Sequence, residues 1–240
     1  MKYAIIADIH ANLEALQVVL QDIEKQKCTH IVCLGDIIGY NANPKECLDI
    51  IRTKNVPCVK GNHDEYCSSN EALEGFNPHA AEAVNWTRKQ LADDDKKWLS
   101  ELKYVRLISN FTIVHATLDG PQRWGYVFEK LAAAASFTYQ NTPVCFFGHT
   151  HVPVAFIRDS AVRGGTYSKF RVEPGRKYFV NVGAVGQPRD GNPKAAYAVY
   201  DMDEGSIELR RLDYDIPAAQ KKILAAGLPA RLAERLAVGK

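Results

Sequence analysis

The sequence predicts an α/β domain whose first part contains parallel strands and whose second half is rich in strands and largely antiparallel. Within residues 1–65, short apolar runs alternate with polar residues and amphipathic helical patterns. This β-α-β-α-β alternation is typical of parallel strands joined by right-handed crossovers. Further apolar, strand-like runs follow at residues 144–147, 154–158, 177–182, 196–201 and 206–212.

The first two helices have clear start signals. Asn12 can cap the first helix, whose apolar residues recur at helical spacing. Asn43 precedes Pro44, which suits the first helical position, and Glu46 completes the pattern of a capping box. The strands around these helices are predicted at residues 3–7, 31–34 and 56–59.

Residues 66–103 interrupt the alternation and predict a helical, lid-like insertion. We expect one helix to start at Pro78 and a second to be capped by Asp93 or Asp94. After the insertion, Ser109-Asn110 predicts a hairpin between two short strands.

The tail at about 216–240 predicts two short helices separated by Gly227 and Pro229. No internal repeat or low-complexity linker divides the chain. We therefore expect a single domain over residues 1–240 that includes the insertion and the tail.

Composition excludes several classes of protein. The formal net charge is +2 and no block of like charges appears, which disfavours nucleic-acid partners and anionic membranes. No apolar run approaches the ~20 residues that span a bilayer, and the start "MKYAIIADIH" does not fit a signal peptide. The six cysteines form no C-x-x-C pair, so we expect reduced thiols in a cytoplasmic protein. The sequence leaves open whether the chain forms a homo-oligomer.

Polar side chains gather at five predicted strand ends and include five of the seven histidines. The groups are Asp8 with His10, Asp36, Asn62 with His63 and Asp64, His115, and His149 with His151. Each group alone could cap a helix or satisfy a loop, but the ends of parallel strands meet at one edge of a sheet. In "CFFGHTHVP", residues 145–153, an extended backbone would turn both histidines to the same side.

These residue types favour a metal centre over a nucleophilic triad. Carboxylates, neutral imidazoles and an amide oxygen suit Mn, Fe, Zn, Co or Ni. Seven of these side chains as ligands would exceed the four that one tetrahedral ion uses, so we predict two ions that share a carboxylate. Two cations ~3.5–4 Å apart lower the pKa of a bridging water toward neutrality, so that the resulting hydroxide can act as a nucleophile. No Ser or Cys lies in a strand-end motif, so no covalent enzyme intermediate is predicted.

The motifs "DIHAN", "GDIIGY", "GNHDE", "VHATLDGP" and "GHTHVP" resemble, in order, those of the calcineurin-like metallophosphoesterase superfamily, over about residues 1–201. The resemblance is to its small prokaryotic phosphoesterases and diadenosine tetraphosphatase-like members. It implies a four-layer αββα sandwich of two mixed sheets flanked by helices. It also implies that Asp8, His10 and His151 hold one ion, that Asn62, His115 and His149 hold the other, and that Asp36 bridges them.

The same resemblance implies a catalytic site of His63, Asp36 and Asn62, in which His63 stabilises or protonates the leaving oxygen. In the phosphoprotein phosphatases of this superfamily, a second Asp three residues after the bridging one orients that histidine. Gly39 occupies the position here, which leaves Asp64 as a candidate.

The expected substrate is a small nucleotide-type phosphodiester, phosphomonoester or dinucleoside polyphosphate. Candidates for contacting its phosphates are Arg123, Arg189 and Lys194, with His79 as a candidate from the insertion, and Trp86, Trp124 and Tyr126 are candidates for stacking a base. The pattern around Trp86 favours a helix core instead. The open alternatives are a nuclease, which the lack of a basic stripe disfavours, a serine/threonine-type protein phosphatase, and a non-catalytic scaffold.

Overall fold

The computed structural model describes all 240 residues, Met1–Lys240. The strands are β1 Lys2–Ile6, β2 His30–Cys33, β3 Val105–Ile108, β4 Phe111–Val114, β5 Val144–Phe147, β6 Val154–Arg158, β7 Val162–Gly165, β8 Lys169–Arg171, β9 Lys177–Asn181, β10 Ala195–Asp201 and β11 Ser206–Leu212. The α-helices are α1 Leu13–Lys25, α2 Pro44–Thr53, α3 Asn62–Ser68, α4 Pro78–Gln90, α5 Asp93–Ser100, α6 Lys130–Tyr139, α7 Ile216–Ala225 and α8 Ala230–Glu234. None of these helices combines the length and apolarity that crossing a membrane requires.

The strands form two mixed sheets. One has the order β2-β1-β10-β11-β8 and the other the order β3-β4-β5-β9-β6-β7. In the first, β1 is parallel to β2 and antiparallel to β10. In the second, β5 is parallel to both β4 and β9. The carboxyl ends of β1, β2, β4 and β5 therefore carry the loops that the sequence marked as polar.

Alternating side chains sort the molecule into layers. Ala4 and Ile6 of β1 pack with α1 and α2, whereas Tyr3 and Ile5 point into the core between the two sheets. On the outer face of the second sheet, residues of β5 and β9 pack against Phe137 of α6. The order helix, sheet, sheet, helix confirms the four-layer αββα sandwich.

Several local predictions are confirmed. The Asn12 side chain accepts from the N–H of Ala15 at 3.1 Å and caps α1. Helix α4 starts at Pro78, and residues 109–110 join β3 and β4 as an antiparallel hairpin. Trp86 is partly buried and packs against an apolar cluster with Ile223 and Leu232 of the tail, as expected for the helix-core interpretation.

Other local predictions were wrong. Residues 56–59 form only two isolated bridges instead of a strand, because Pro57 has no N–H to extend a ladder. Helix α5 is preceded by Ala92, whose N–H donates to Asp95 Oδ2 at 3.2 Å, so neither predicted aspartate caps it. The Asn43 side chain donates to Glu46 Oε1 at 2.8 Å and accepts no capping bond.

Candidate metal centre

The ends of four strands and the start of one helix bring the seven predicted ligands together. Asp8 and His10 follow β1, Asp36 follows β2, His115 follows β4, His149 and His151 follow β5, and Asn62 begins α3. All except Asn62 are buried, and Asn62 is half-buried. The structure thus collects side chains that are up to 143 positions apart in the sequence, from Asp8 to His151.

Four of these residues form a first ligand group: Asp8, His10, Asp36 and His151. His10 Nε2 lies 3.1 Å from His151 Nε2 and 3.4 Å from Asp36 Oδ2. His151 Nε2 lies 3.4 Å from Asp8 Oδ1. An ion with ligand bonds of about 2.1 Å has neighbouring ligand atoms roughly 3.0–3.4 Å apart, so these distances fit one cation.

Asp36, His115 and His149 form a second group, and Asn62 adjoins it. His115 Nε2 lies 3.2 Å from both His149 Nδ1 and Asn62 Oδ1. The same His115 atom lies 3.4 Å from Asp36 Oδ2. Because this single oxygen of Asp36 is equally close to an imidazole of each group, it has the position of a shared ligand.

Hydrogen bonds to main-chain carbonyls orient all four imidazoles. They join His10 Nδ1 to Ile38 O at 3.1 Å, His115 Nδ1 to Leu34 O at 2.8 Å, His149 Nε2 to Trp124 O at 2.9 Å, and His151 Nδ1 to Gln187 O at 2.6 Å. A carbonyl only accepts, so each of these nitrogens carries the proton and the opposite nitrogen presents a lone pair. Lone pairs that face each other at 3.1–3.2 Å repel, and a cation between them removes the repulsion.

Charge in the cluster is concentrated on buried carboxylates. Burial raises the pKa of Asp8 to about 7. Burial also acts to raise the pKa of Asp36, but nearby histidines, His115 first, hold it well below its usual range. The pKa of His115 rises to about 9, because the charges of Asp36 and Asp8 outweigh the effect of burial. Burial lowers the pKa of His149 to about 3. Protonation of His115 and binding of a cation are therefore alternative ways of balancing the charge on Asp36.

Five predicted ligands have left-handed backbone conformations. The φ angles are 52° at Asp8, 47° at His10, 52° at Asp36, 65° at His149 and 60° at His151. Residues with a Cβ rarely adopt this region, and such strain concentrates at functional sites. The extended backbone expected for the "HTH" stretch is therefore wrong, although both histidines do face the same cluster.

Two glycines allow the carboxylates to pack against bare backbone. A Cβ at Gly148 would lie 2.6 Å from Asp8 Oδ2, and one at Gly61 would collide with Asp36 Oδ1. The Asp36 Oδ1 atom also accepts from the N–H of His63 at 2.8 Å, which ties the start of α3 to the shared carboxylate. The position of Asp8 thus requires a glycine at residue 148, and the position of Asp36 requires one at residue 61.

Comparison with known proteins decides the family. Residues 1–205 match the family model of the calcineurin-like phosphoesterase superfamily domain. The chain belongs to this superfamily. It is 39% identical over 241 residues to the uncharacterized protein MJ0912 of Methanocaldococcus jannaschii, an alignment that covers 99% of this chain and 98% of the relative.

Solved structures agree with this assignment. The metallophosphoesterase of Sphaerobacter thermophilus is 37% identical, with a TM-score of 0.87 and coverage of 100% of this chain and 99% of that one. The hypothetical protein PH1004 of Pyrococcus horikoshii OT3 shares the fold at 18% identity, with a TM-score of 0.82 and coverage of 100% and 98%. The calcineurin-like phosphoesterases are metal-dependent hydrolases of phosphate esters, and this chain is one of them.

His63 stands apart from the other buried histidines of this phosphoesterase, because neither of its ring nitrogens has a hydrogen-bond partner in the chain and Nδ1 is fully buried. Its ring packs against Tyr40, at 4.3 Å between centroids, and against His10, at 4.8 Å. Burial lowers the pKa of His63 to about 4. The imidazole is thus held in place by packing and left free to bind a substrate atom.

Asp64 does not orient His63, and the prediction that named it as a candidate was wrong. Its carboxylate accepts from the N–H groups of Asp36, Ile37 and Gly61 at 2.8, 2.9 and 3.0 Å. It therefore fixes the loop that carries the shared ligand. A Cβ at Gly39 would lie 2.5 Å from His63 Nδ1, so this chain has no room for an aspartate there without moving the ring.

The predicted substrate residues are only partly brought together. His79 and Arg189 line one cavity of about 400 Å³, together with Tyr40 and Tyr126. Arg123 lies outside that cavity with its side chain exposed and without an ion pair. Lys194 is paired with Asp213 at 2.9 Å. The carbonyl of Trp124 accepts from His149, and the Trp124 ring lies 5.7 Å from that of Tyr104 and 5.8 Å from that of His115 between centroids.

Two contributors to this region were missed by the sequence analysis. Asn181 donates from Nδ2 to Gly148 O at 2.6 Å and to Thr150 Oγ1 at 3.0 Å, and so supports the loop of the two ligand histidines. Tyr40, which follows the shared aspartate by four residues, contacts His10 and His63 with its ring. Tyr40 is the last residue of the motif "GDIIGY", but the sequence analysis gave its side chain no role.

Removing and restoring metal should change stability as well as activity. We expect chelator-treated protein to lose phosphoesterase activity and to regain it with Mn²⁺. Since binding to the folded state stabilises by about 2.7 kcal/mol at a hundredfold excess over Kd, the melting temperature should rise by about 5–10 °C per site. Differential scanning fluorimetry with Mn²⁺, and with Ca²⁺ as the control that suits oxygen ligands, measures this. No shift with any of Mn²⁺, Fe²⁺ and Zn²⁺ would contradict the metal centre.

Proposed function

We propose that this phosphoesterase hydrolyses a small nucleotide-type phosphate ester at a two-metal centre. Asp8, His10 and His151 would hold one ion, Asn62, His115 and His149 the other, and Asp36 would serve both. The observation that carries the proposal is the position of Asp36 Oδ2, at 3.4 Å from an imidazole of each group. When bound, a pair of Mn, Fe, Zn, Co or Ni ions lowers the pKa of water toward neutrality and offsets phosphate charge.

Direct attack by water accounts for the residues present. The seven converging side chains include no hydroxyl or thiol to serve as a nucleophile. The nearest hydroxyl along the chain, on Thr150 between the two ligand histidines, accepts a hydrogen bond from Asn181 and so supports the loop. His63, unpartnered beside the shared carboxylate, is the group that we assign to the departing oxygen.

An aromatic surface beside the centre supports a nucleotide substrate. The ring of Tyr126 stacks on His149 at 4.4 Å between centroids, yet Tyr126 remains 54% exposed. Phe128, which is 60% exposed, lies nearly parallel to Tyr126 at 5.7 Å. Exposed rings of this kind suit stacking on a base. All six cysteines are free and five are buried, which supports the cytoplasm as the place where the protein works.

A substrate panel tests this proposal. Protein loaded with Mn²⁺ would be offered an aryl phosphate, nucleoside monophosphates, cyclic nucleotides, diadenosine polyphosphates, a phosphopeptide and single-stranded DNA. We expect a nucleotide to give the highest kcat/KM. Preference for DNA with a steep salt dependence would point to a nuclease, and preference for the phosphopeptide to a protein phosphatase. If protein with two bound ions hydrolyses none of these compounds, the remaining interpretation is a non-catalytic scaffold.

The insertion at 66–103 should govern the choice of substrate rather than the chemistry. His79, near the start of α4, lines the cavity beside the metal centre. We expect His79→Ala to raise KM for the preferred nucleotide several-fold, on the order of a lost charged or polar contact, and to change hydrolysis of an aryl phosphate less.

The matched control for His79 is His30→Ala. His30 is exposed and stacks on Tyr3, away from the cavity, so its replacement should leave both substrates unchanged. Equal losses on both substrates in His79→Ala would show that the insertion only supports the fold.

A further inference from the structure

A second cluster of charged side chains lies next to the metal centre. The cavity of about 400 Å³ that holds His79 is lined by three arginines. Arg189 follows β9 in the chain, whereas Arg231 and Arg235 belong to α8 and to the turn after it. The tail therefore brings two of the positive charges to a cavity whose remaining walls come from the insertion and from the loops of the catalytic face.

These arginines have no buried acidic partner. None of the residues lining the cavity is an aspartate or a glutamate. Arg189 donates only to Gln187 Oε1, at 2.8 and 3.3 Å, and Arg235 donates from Nε to the main-chain oxygen of Lys240. Arg231 comes within 4.0 Å of Glu234, but both side chains are about two-thirds exposed, where such pairs contribute little.

Three arginines that line one cavity with no aspartate or glutamate in its walls favour the binding of an anion there. Burial, with the nearby charges of Arg189 and Arg231, lowers the pKa of Arg235 to about 10. An anion in the cavity would relieve that repulsion. The planar guanidinium fork suits a phosphate group in particular, because it can donate two parallel hydrogen bonds.

Two tyrosines that line the cavity also contact residues of the metal centre. The guanidinium of Arg189 lies over the ring of Tyr40, with Cζ 5.5 Å from its centroid, and that ring also contacts His10 and His63. Tyr126 lines the same cavity and stacks on His149. The cavity therefore borders the metal centre, with the rings of Tyr40 and Tyr126 at the boundary.

We propose that this arginine cavity binds a second phosphate group of the substrate, while the phosphate to be cleaved lies at the metal centre. The substrate class is then a nucleotide whose phosphate chain extends beyond the reacting phosphorus. The inference deepens the proposed function and rests on it for the position of the first phosphate. It makes Arg231 and Arg235 specificity residues and gives the tail a role in substrate selection. A volume of about 400 Å³ is within the range of small-molecule sites.

Binding of inorganic tripolyphosphate to chelator-treated protein tests the cavity without any hydrolysis. Isothermal titration calorimetry would compare wild type with Arg231→Ala, Arg235→Lys and Arg231→Ala/Arg235→Gln. We expect the double variant to raise the Kd by at least about tenfold and Arg235→Lys to raise it less, since charge is kept but the fork is lost. The control is Arg171→Ala, an exposed arginine of β8 outside the cavity, which should bind like wild type.

Kinetics of the Mn²⁺-loaded enzyme supply the second arm, with a nucleoside diphosphate and nitrophenyl phosphate as substrates. We expect kcat/KM of the double variant to fall about tenfold more for the diphosphate than for the aryl ester, mainly through KM. Tripolyphosphate binding that depends on the arginines, in a protein that hydrolyses nothing, would overturn the proposed function and keep the anion site. Active enzyme whose double variant binds tripolyphosphate like wild type would overturn the anion site and keep the function.

Discussion

Replacing Asp36 by alanine is expected to lower the bound metal from two ions per chain to one or fewer and to reduce hydrolysis by on the order of 10³-fold. The carboxylate lies between the two ligand groups, with Oδ2 at 3.4 Å from both His10 Nε2 and His115 Nε2. No neighbouring carboxylate can take its place, because the other acid of the cluster, Asp8, lies against His151. Metal analysis of the purified variant, with activity on nitrophenyl phosphate, gives both numbers.

Two further variants separate ligation from loss of structure. Asp36 Oδ1 also accepts from the N–H of His63 at 2.8 Å, so the alanine variant loosens α3 as well. Asp36→Asn keeps that acceptor and loses the anionic charge, and we expect it to retain the fold and part of the metal. Asp49→Ala removes an exposed carboxylate that pairs with Lys45 on α2, and should bind metal like wild type. Two ions still bound to Asp36→Ala would show that the carboxylate is not shared.

The positions of the ligands were predictable because strand ends are a topological property. Hydrophobic periodicity marks where β1, β2, β4 and β5 stop. Parallel pairing aligns the end of β1 with that of β2 in one sheet and the end of β4 with that of β5 in the other, and the packing of the two sheets brings both pairs together. The residue types then indicated a metal site, since metal binding is the main use of a set of acids, imidazoles and an amide. The α/β class and the cluster of candidate ligands thus follow from local patterns, whereas the four-layer sandwich and the assignment of ligands to two ions were implied by the family resemblance.

The conformation of those ligands was not predictable from the same patterns. A φ of 60° at His151 or 52° at Asp8 is unfavourable locally. It is accompanied by main-chain hydrogen bonds to residues distant in sequence, from the Asp8 N–H to Gly35 O at 3.1 Å and from the Arg189 N–H to His151 O at 3.2 Å. Helix α6 was missed because its run of alanines gives little contrast in sequence between the face that packs on the sheet and the exposed face.

The arginine cavity could not be predicted from the sequence either, because it depends on tertiary packing. Arg231 and Arg235 lie four residues apart on a short polar tail, and in sequence they look like solvent-exposed helix positions. Only the packing of α4 against the tail, through Trp86 and Ile223, brings them beside Tyr40 and the metal centre. A pattern within one segment cannot reveal a site that three separate segments build.

His63→Ala should keep both metals and still lose activity by ~10²–10⁴-fold on a substrate with a poor, alkoxide-like leaving group. The reason is geometric, because His63 lies next to Asn62 yet does not join its contacts. Asn62 Oδ1 points to His115 Nε2 at 3.2 Å, whereas the His63 ring lies against Tyr40 and His10 with both nitrogens unpartnered. Burial keeps this imidazole neutral at pH 7, with its pKa at about 4, and a neutral ring can still donate an N–H to the departing oxygen.

Leaving-group dependence is the measurement that identifies this role. Nitrophenolate is already stable as an anion, so nitrophenyl phosphate should lose much less in His63→Ala than an alkyl phosphate does. Metal analysis must accompany the kinetics. The main-chain N–H of His63 donates to Asp36 Oδ1, so a shift of α3 in the variant would weaken the metal centre. Loss of one ion would make His63 part of the metal site. Equal losses on both substrates with both ions retained would make it a phosphate-positioning residue, because only help to the departing oxygen depends on how poor that group is.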